Sequence, residues 1–334
     1  MIEQQKKRLF SGIQPTGELH IGNYIGALSL WVEQQDQFDS IFCIVDLHAI
    51  TIPETIVPEY LRKKSREAEA ILIASGIDPE RSVIFIQSHI PAHTELTWIL
   101  NSITPIGWLE RMTQFKVKSA QLESISTGLF DYPVLQAADV LLYKTNVVPV
   151  GEDQRQHIEL MDDIAQRFNH LFGEVFILPQ PMIRASGARI MGLDDPTAKM
   201  SKSLAEKRKG HAIGIVDPPE VIREAVMRAV TDSGKETRFD CASPGVKNLL
   251  VIYEVLSGKS REAIEAYFEG KGYGFLKREL ADLVIATLEP VRNRYLKLMA
   301  EPAYLEELLH RGAERVRPIA ESTLKQAKDL VGLG

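Results

Sequence analysis

Residues 11–28 read SGIQPTGELHIGNYIGAL. An apolar run ending at Phe10 feeds a loop containing Pro15 and Gly17, and a helical pattern begins near Gly22. A strand, a tight turn and a helix N-terminus in succession is where an α/β sheet holds a phosphate. The stretch carries neither G-x-x-x-x-G-K-[ST] nor G-x-G-x-x-G. Instead His20 and Asn23 stand three residues apart, so the first helical turn can present both on one side. Gly22 between them lets a ligand approach the backbone closely. An imidazole and an amide beside a positive helix end suit the polyphosphate of ATP.

The sequence beyond this stretch sets the fold class. Residues 40–46 form a continuous apolar run closed by Asp46, which fits a strand buried on both faces, as in a parallel sheet. Residues 57–75 carry apolar side chains at helical spacing, with Gly76 as a stop and Pro79 beyond it. Residues 82–87 (SVIFIQ) read as a third strand, and a helix around 94–102 follows. That βαβ alternation predicts a doubly wound first third. Residues 105–170 are mostly helical by pattern, with Pro133 placed as a first helical residue. Residues 147–150 are a short strand candidate, and 151–154 open another helix with acids in its first turn. Residues 175–178 and 188–193 are further strand candidates. From about Asp217 the pattern is helical to the end, in stretches at 218–231, 246–257, 260–268, 275–299 and 303–331. The expectation is an α/β chain: a Rossmann-like, doubly wound parallel sheet over residues 1–205, then an all-helical C-terminal domain over 206–334. No internal repeat or low-complexity segment occurs.

The totals narrow the function classes. At 334 residues the chain has room for two domains, and 45% apolar with 25% charged residues is globular composition. A net charge of −6 argues against indiscriminate nucleic-acid binding and against DNA as a partner, while leaving room for RNA recognition by local basic patches. The two cysteines, Cys43 and Cys241, provide neither a four-thiolate cluster nor a disulfide framework, which suggests a reducing compartment. The start, MIEQQKKRLF, has no apolar stretch behind its basic residues, and no run approaches the roughly 20 apolar residues of a membrane helix. A soluble, cytoplasmic protein is expected.

Far downstream stands Lys199-Met200-Ser201-Lys202-Ser203, among charged and small residues. Two ammonium groups on a mobile loop can close over ATP and stabilise the charge developing on departing pyrophosphate. The pair HIGN and KMSKS resembles the two ATP-binding signatures of class I aminoacyl-tRNA synthetases, and the surrounding sequence resembles the tryptophanyl-tRNA synthetases along nearly the whole chain. The commonest form of the first signature, HIGH, is departed from at Asn23. The resemblance implies that His20, Asn23, Lys199 and Lys202 act on the phosphates, joined by Lys116 in MTQFK. It also places Gln14, Pro15, Thr16, Gly22, Gly151, Glu152, Asp153, Ile190, Met200, Ser201 and Ser203 around ATP. No metal site in the protein is expected; Mg2+ would come with ATP.

Tyr132, Gln136 and Asp139 fall on one helical face, and Asp139 sits in an otherwise apolar run. A carboxylate there needs a partner, because burying it unpaired costs several kcal/mol. That partner is either a neighbouring Arg or Lys or the indole N–H of tryptophan, the one donor an indole has. A site built to pair that donor discriminates strongly without editing. In the resemblance Asp139 falls on the indole-binding aspartate, and Phe10, Gln14, Val45, His48, Tyr132, Gln136, Val148, Val150 and Gln154 fall on other positions of the tryptophan pocket. Tyr132 and Gln154 would hold the amino group. Gln136 is a second departure, since many relatives carry Met there. His89 and His93 are four apart but lack the glutamate of H-E-x-x-H.

The resemblance therefore implies ATP-dependent formation of tryptophanyl-adenylate, transfer to tRNA(Trp), a homodimer, and a helical domain that reads the anticodon. Basic clusters at Lys207-Arg208-Lys209 and at Arg311, Arg315 and Arg317 could meet phosphates or form solvated helix faces. A tyrosyl-type ligase, a synthetase-like regulator that binds tryptophan or RNA, and a nucleotidyltransferase of the same fold are the rivals. Phe10 and Asp139 oppose the first, the retained HIGN and KMSKS the second, and the long helical C-terminus the third.

Overall fold

Three of the apolar runs form the centre of a parallel sheet: β1 (Arg8–Ile13), β2 (Asp39–Ile44) and β3 (Val83–Ile86). β4 (Val147–Pro149) and β5 (Gln180–Met182) complete it, in the order β3-β2-β1-β4-β5 with every pair parallel. The coordinates, a computed structural model, describe residues 6–53, 56–120, 122–151, 154–182 and 189–334. Within the strands successive side chains face opposite ways. Leu9, Phe42, Ile44 and Ile84 enter one apolar core, while Phe10, Ile41, Cys43, Val83 and Phe85 enter the other. The chain winds outward from β1 to β2 and β3, then returns across the sheet to β4. The carboxyl ends of β1 and β4 therefore diverge at a topological switch point, the place where such sheets bind ligands.

After β1 the signature stretch forms α1 (Ile21–Asn23), a π-helical turn (Tyr24–Leu28) and α2 (Ser29–Gln34). β2 leads into the single turn α3 (Asp46–Ala49) and then α4 (Pro58–Ala74). Glu69 of α4 is fully buried with neither carboxyl oxygen hydrogen-bonded, and burial pushes its carboxyl up to about 9. It therefore sits in the core as a neutral acid at neutral pH. A 3-10 turn, Gln87–His89, follows β3. The helices α5 (Ala92–Asn101), α6 (Ile106–Glu110), α7 (Thr113–Ser119) and α8 (Thr127–Leu141) lead to β4, and α9 (Arg155–Phe172) joins β4 to β5.

Two local expectations are corrected here. Pro133 lies inside α8, whose N-cap is Ser126 with its hydroxyl accepting from the Leu129 N–H. The side-chain cap sets the helix start at Thr127, six residues upstream of Pro133. Residues 175–178 do not form a strand. The Asn169 side chain accepts from the Val175 and Phe176 N–H groups and donates to the Phe176 carbonyl, taking up backbone groups a ladder would use. Of 188–193, Ala188 lies outside the described residues, and Met191 makes an isolated antiparallel bridge to Lys199.

The KMSKS stretch is partly helical rather than wholly loop. Ser201 caps α10 (Lys202–Lys207), accepting from the Leu204 N–H. The remainder is helical: α11 (Pro219–Arg228), α12 (Pro244–Ser257), α13 (Arg261–Phe268), α14 (Gly272–Met299) and α15 (Pro302–Val331). Their apolar faces join the sheet's: Leu9 and Phe42 share a core with Leu249, Leu288 and Leu305. α15 returns to β3, where Gly312 passes so close to the Ile84 carbonyl that a Cβ would collide with it. Arg311 pairs with Glu80, Arg315 donates to the Pro79 and Ser82 carbonyls, and Arg317 donates to the His89 carbonyl. These three arginines, candidates for phosphate contacts by sequence, clamp α15 to the strand half instead.

Candidate active site

A cavity of about 350 Å³ opens between the diverging ends of β1 and β4, floored by α8. All ten positions assigned by sequence to the amino acid line it. The i, i+4, i+7 spacing of Tyr132, Gln136 and Asp139 on α8 puts the three on this wall together. Asp139 is 2% exposed and accepts three hydrogen bonds from the protein, which leaves acceptor capacity on the carboxylate. Its Oδ2 accepts from His48 Nε2 at 2.8 Å, and its Oδ1 accepts from Gln87 Nε2 at 2.6 Å and from His93 Nδ1 at 2.7 Å. Burial alone would raise its pKa, but the hydrogen bonds and charge of His48 and His93 outweigh that and hold the carboxyl below the usual range. His93 Nε2 lies 2.8 Å from the Tyr143 hydroxyl, so the network continues into the core. Of the two partners the sequence offered this acid, an Arg or Lys is not what the fold supplies; its protein partners are two histidines and a glutamine.

Further along the same wall the Tyr132 hydroxyl lies 2.9 Å from His157 Nε2, and burial pushes its pKa up to about 12. Lys118 Nζ sits 4.7 Å from the centre of the Tyr132 ring, with its pKa lowered by burial. Lys118 lines the cavity, whereas Lys116, the lysine expected from sequence, is exposed and does not. On α7 the two positions are about 200° apart around the helix, so only one can face inward. Sequence reading also missed Gln87 and His93, which orient Asp139. The signal was present in Gln87, a polar residue closing an apolar strand, and in His93, which falls on the buried side of α5.

The two phosphate signatures meet beside this cavity. Lys202 Nζ donates to the Gln14 carbonyl at 2.9 Å, and the Gln14 side chain lines the cavity while donating to the His48 carbonyl at 2.8 Å. Gly17 has φ +61, and a Cβ on it would meet Lys202 Cβ at 2.7 Å, so only glycine allows loop and lysine to approach this closely. Pro15 and Thr16 lie on the same loop. His20 is 4% exposed at the N-cap of α1, with its N–H donating to Asn23 Oδ1 at 3.1 Å. Burial, with Lys202, His211 and Lys199 nearby, lowers its pKa to about 3, and its Nδ1 has no partner. The imidazole is therefore neutral. Lys202 itself is pulled down to about 8 by burial and by the charge of Lys64. Met200 is buried, its N–H donating to the carbonyl of Ile190, which packs beside Gly22. None of His20, Asn23, Lys199 and Lys202 lines the 350 Å³ cavity; they flank it. Gly151 is at its mouth, while Glu152 and Asp153 lie outside the described residues.

A profile of tRNA synthetases class I (W and Y) matches residues 3–289. The chain belongs to this family. The tryptophan–tRNA ligase of Wolinella succinogenes is 54% identical over 98% of this chain and 99% of its own length. Among solved structures, the tryptophanyl-tRNA synthetase of Mycoplasma pneumoniae superposes with a TM-score of 0.90 at 34% identity, covering 99% of both chains. That of Campylobacter jejuni, solved with ADP and tryptophan, superposes at 0.85 with 36% identity over 98% of this chain and all of the other.

In this synthetase the signature residues beside the cavity, His20, Asn23, Lys199 and Lys202, are cationic or neutral donors, with Glu18 and Glu206 close to Lys202. Among the described residues no cluster of three or more His, Cys, Asp or Glu could hold a metal. Asp194 is engaged with His211 Nδ1 at 2.5 Å, and Asp195 accepts from Thr197 Oγ1 at 2.6 Å. Chemically the arrangement provides a slot of mixed polar and apolar side chains with one buried carboxylate, next to ammonium groups able to neutralise a polyphosphate.

Proposed function

We propose that this synthetase activates L-tryptophan with Mg-ATP and transfers it to tRNA(Trp). The observation that carries the reading is the Lys202–Gln14 contact. It ties the second signature to the loop of the first, at a residue that also lines the cavity holding Asp139. The indole enters between Phe10, Val45, Val148 and Val150, with its N–H directed at the carboxylate of Asp139. Tyr132 and Gln154 take the ammonium group; the Tyr132 hydroxyl, paired with His157, has two lone pairs and keeps one for it whichever partner donates. A tryptophan carboxylate oxygen attacks the α-phosphorus. The new O–P bond forms as the bond to the β-phosphate oxygen breaks, and pyrophosphate leaves. No side chain acts as nucleophile. Lys199 and Lys202 neutralise the leaving charge, Lys118 approaches from the cavity side, and neutral His20 and Asn23 hydrogen-bond phosphate oxygens. In the second step a hydroxyl of the terminal ribose of tRNA attacks the acyl carbon and AMP leaves.

Exposed Trp98, Ile106 and Val117, on three consecutive helices, support packing against a second copy in a homodimer. Free thiols at Cys43 and Cys241 support a reducing compartment, and tRNA charging places the enzyme in the cytoplasm. Amino-acid-dependent ATP–pyrophosphate exchange tests the reading: exchange is expected with tryptophan and not with tyrosine. Exchange with tyrosine alone would assign the tyrosyl activity, and exchange with neither would remove the enzyme reading.

A further inference from the structure

A second cavity, of about 290 Å³, lies on the same carboxyl edge of the sheet, enclosed by α3, α4, the 3-10 turn after β3, and α15. No group assigned above to tryptophan or ATP lines it. Arg62 and Arg66, one turn apart on α4, line it with exposed side chains, and neither forms a hydrogen bond or ion pair among the described residues. Facing them, the rings of His89 and His310 stack at 5.6 Å and 18°, and His89 Nδ1 is buried without a partner. Arg317 adds positive charge behind His89, through its bond to the His89 carbonyl. Two carboxylates, Asp46 and Glu306, also line the space; Asp46 is held by the Ser88 N–H and hydroxyl.

We propose that this cavity binds the phosphate of a nucleotide. Two unpaired guanidinium groups at i, i+4 form a fork matched to phosphate oxygens. Carboxylates alone would repel such a ligand, but their remaining lone pairs suit sugar hydroxyls, and the imidazole pair provides a stacking face. The volume is that of one nucleotide unit rather than of a dinucleotide or a helix. Two sources offer this chemistry: a nucleotide near the acceptor end of the tRNA, or a free mononucleotide.

The location gives the site a route to the tryptophan pocket. In α3, Asp46 faces this cavity while His48, two residues on, faces the other. In the 3-10 turn, Ser88 and His89 face this cavity, while Gln87 donates to Asp139 and accepts from the Leu47 N–H at 3.0 Å. A ligand seated here rests on both short elements that hold the indole-binding acid. This inference rests on the ligase reading above, because the acid's role comes from it.

The test uses the full-length protein with its catalytic site saturated by a non-hydrolysable tryptophanyl-adenylate mimic. Binding of AMP, CMP and inorganic phosphate is measured by calorimetry for wild type and for R62A/R66A and H310A, whose exposed positions should leave folding intact, as checked by melting temperature. One mononucleotide per chain is expected, with affinity at least about tenfold weaker in R62A/R66A. Steady-state charging then separates the sources. A tRNA KM raised in R62A/R66A, with tryptophan-dependent exchange unchanged, assigns the site to tRNA whether or not mononucleotides bind. An unchanged tRNA KM with mononucleotide binding lost assigns it to a free nucleotide. The proposal is overturned if wild type and R62A/R66A match in both nucleotide binding and tRNA KM. Absence of exchange in the wild type would refute the ligase reading instead, and is measured first.

Discussion

The two halves of the active site satisfy their polar groups in opposite ways. Around Asp139 every buried donor and acceptor is matched: three donors converge on one carboxylate, and Tyr143 extends the network into the core. At the signatures, like charges and unpartnered atoms are gathered. His20 Nδ1 lacks a partner, and Lys202 is partly buried within reach of the charge of Lys64. Lys64 is held above the usual lysine range: burial lowers it, but bonds from Glu18 and Glu67 outweigh that. A satisfied network is rigid and fixes the shape presented to a side chain. A lysine whose charge burial disfavours gains when a polyanion arrives, and most when charge builds on a leaving pyrophosphate. On the proposed function, recognition falls to a pre-formed wall and acceleration to groups that the free enzyme holds at a cost.

The largest test of this division is on the rigid side. Asp139→Ala removes the acceptor and strands the donors of His48, Gln87 and His93 in a buried site. A stability loss of about 3–5 kcal/mol is expected in urea unfolding, the range for breaking a buried charged network from one side. Asp139→Asn keeps the shape and should lose less stability, yet should still lower discrimination between tryptophan and phenylalanine. If either variant kept wild-type stability while losing tryptophan, the acid would serve the ligand alone and the wall would not be pre-formed by it. On the other side, Lys202→Ala should lower the rate of exchange by about 10²–10³-fold, the scale of one transition-state donor, with tryptophan KM unchanged. An equal loss of tryptophan affinity would show that the halves are not separable.

The parallel sheet and its first three strands were legible because each follows from a local apolar run, and the i, i+4, i+7 spacing put Tyr132, Gln136 and Asp139 on one face of α8; the other residues assigned to the amino acid came from the family resemblance, not from spacing. What was not legible depended on tertiary partners. Whether Lys116 or Lys118 faces inward is a question of the helix's rotation about its axis, which a short, half-exposed helix does not record in its hydrophobicity. Asp139's ligands come from the turn after β3 and from α3 and α5, elements distant in sequence, so a lone acid in an apolar run showed the need for partners but not their identity. Residues 175–178 had strand composition, but a single asparagine side chain captured their backbone. Arg311, Arg315 and Arg317 looked like a free basic face because the acceptors they use are backbone carbonyls and one glutamate near β3.

A smaller effect separates the two lysines of α7. Lys118→Ala should slow activation by about 10-fold or more, since it removes a charge-assisted donor from the cavity wall. Lys116→Ala should leave exchange close to wild type, as expected of an exposed side chain. A larger effect at Lys116 would mean that α7 turns when ATP binds, and would make this wall as changeable as the signature loop.

The mildest test is pH. Lys202 is lowered to about 8 by burial, so in the free enzyme it loses its charge as the pH rises through that value, well before an ordinary lysine would. Its depressed pKa also fixes the sign of the stability effect. Below about 8 the folded protein holds a buried cation at a cost, and between about 8 and the ordinary lysine range the unfolded chain binds the extra proton, so stability should rise with pH there. Affinity for ATP should move the other way, weakening as the pH rises through about 8, while tryptophan affinity, which depends on a carboxylate ionised far below this range, should stay flat. Lys202→Arg keeps its charge throughout and should remove the inflection without removing binding. If ATP and tryptophan affinities fell together across that interval, the cationic half and the rigid half would be titrating as one unit through the Lys202–Gln14 contact.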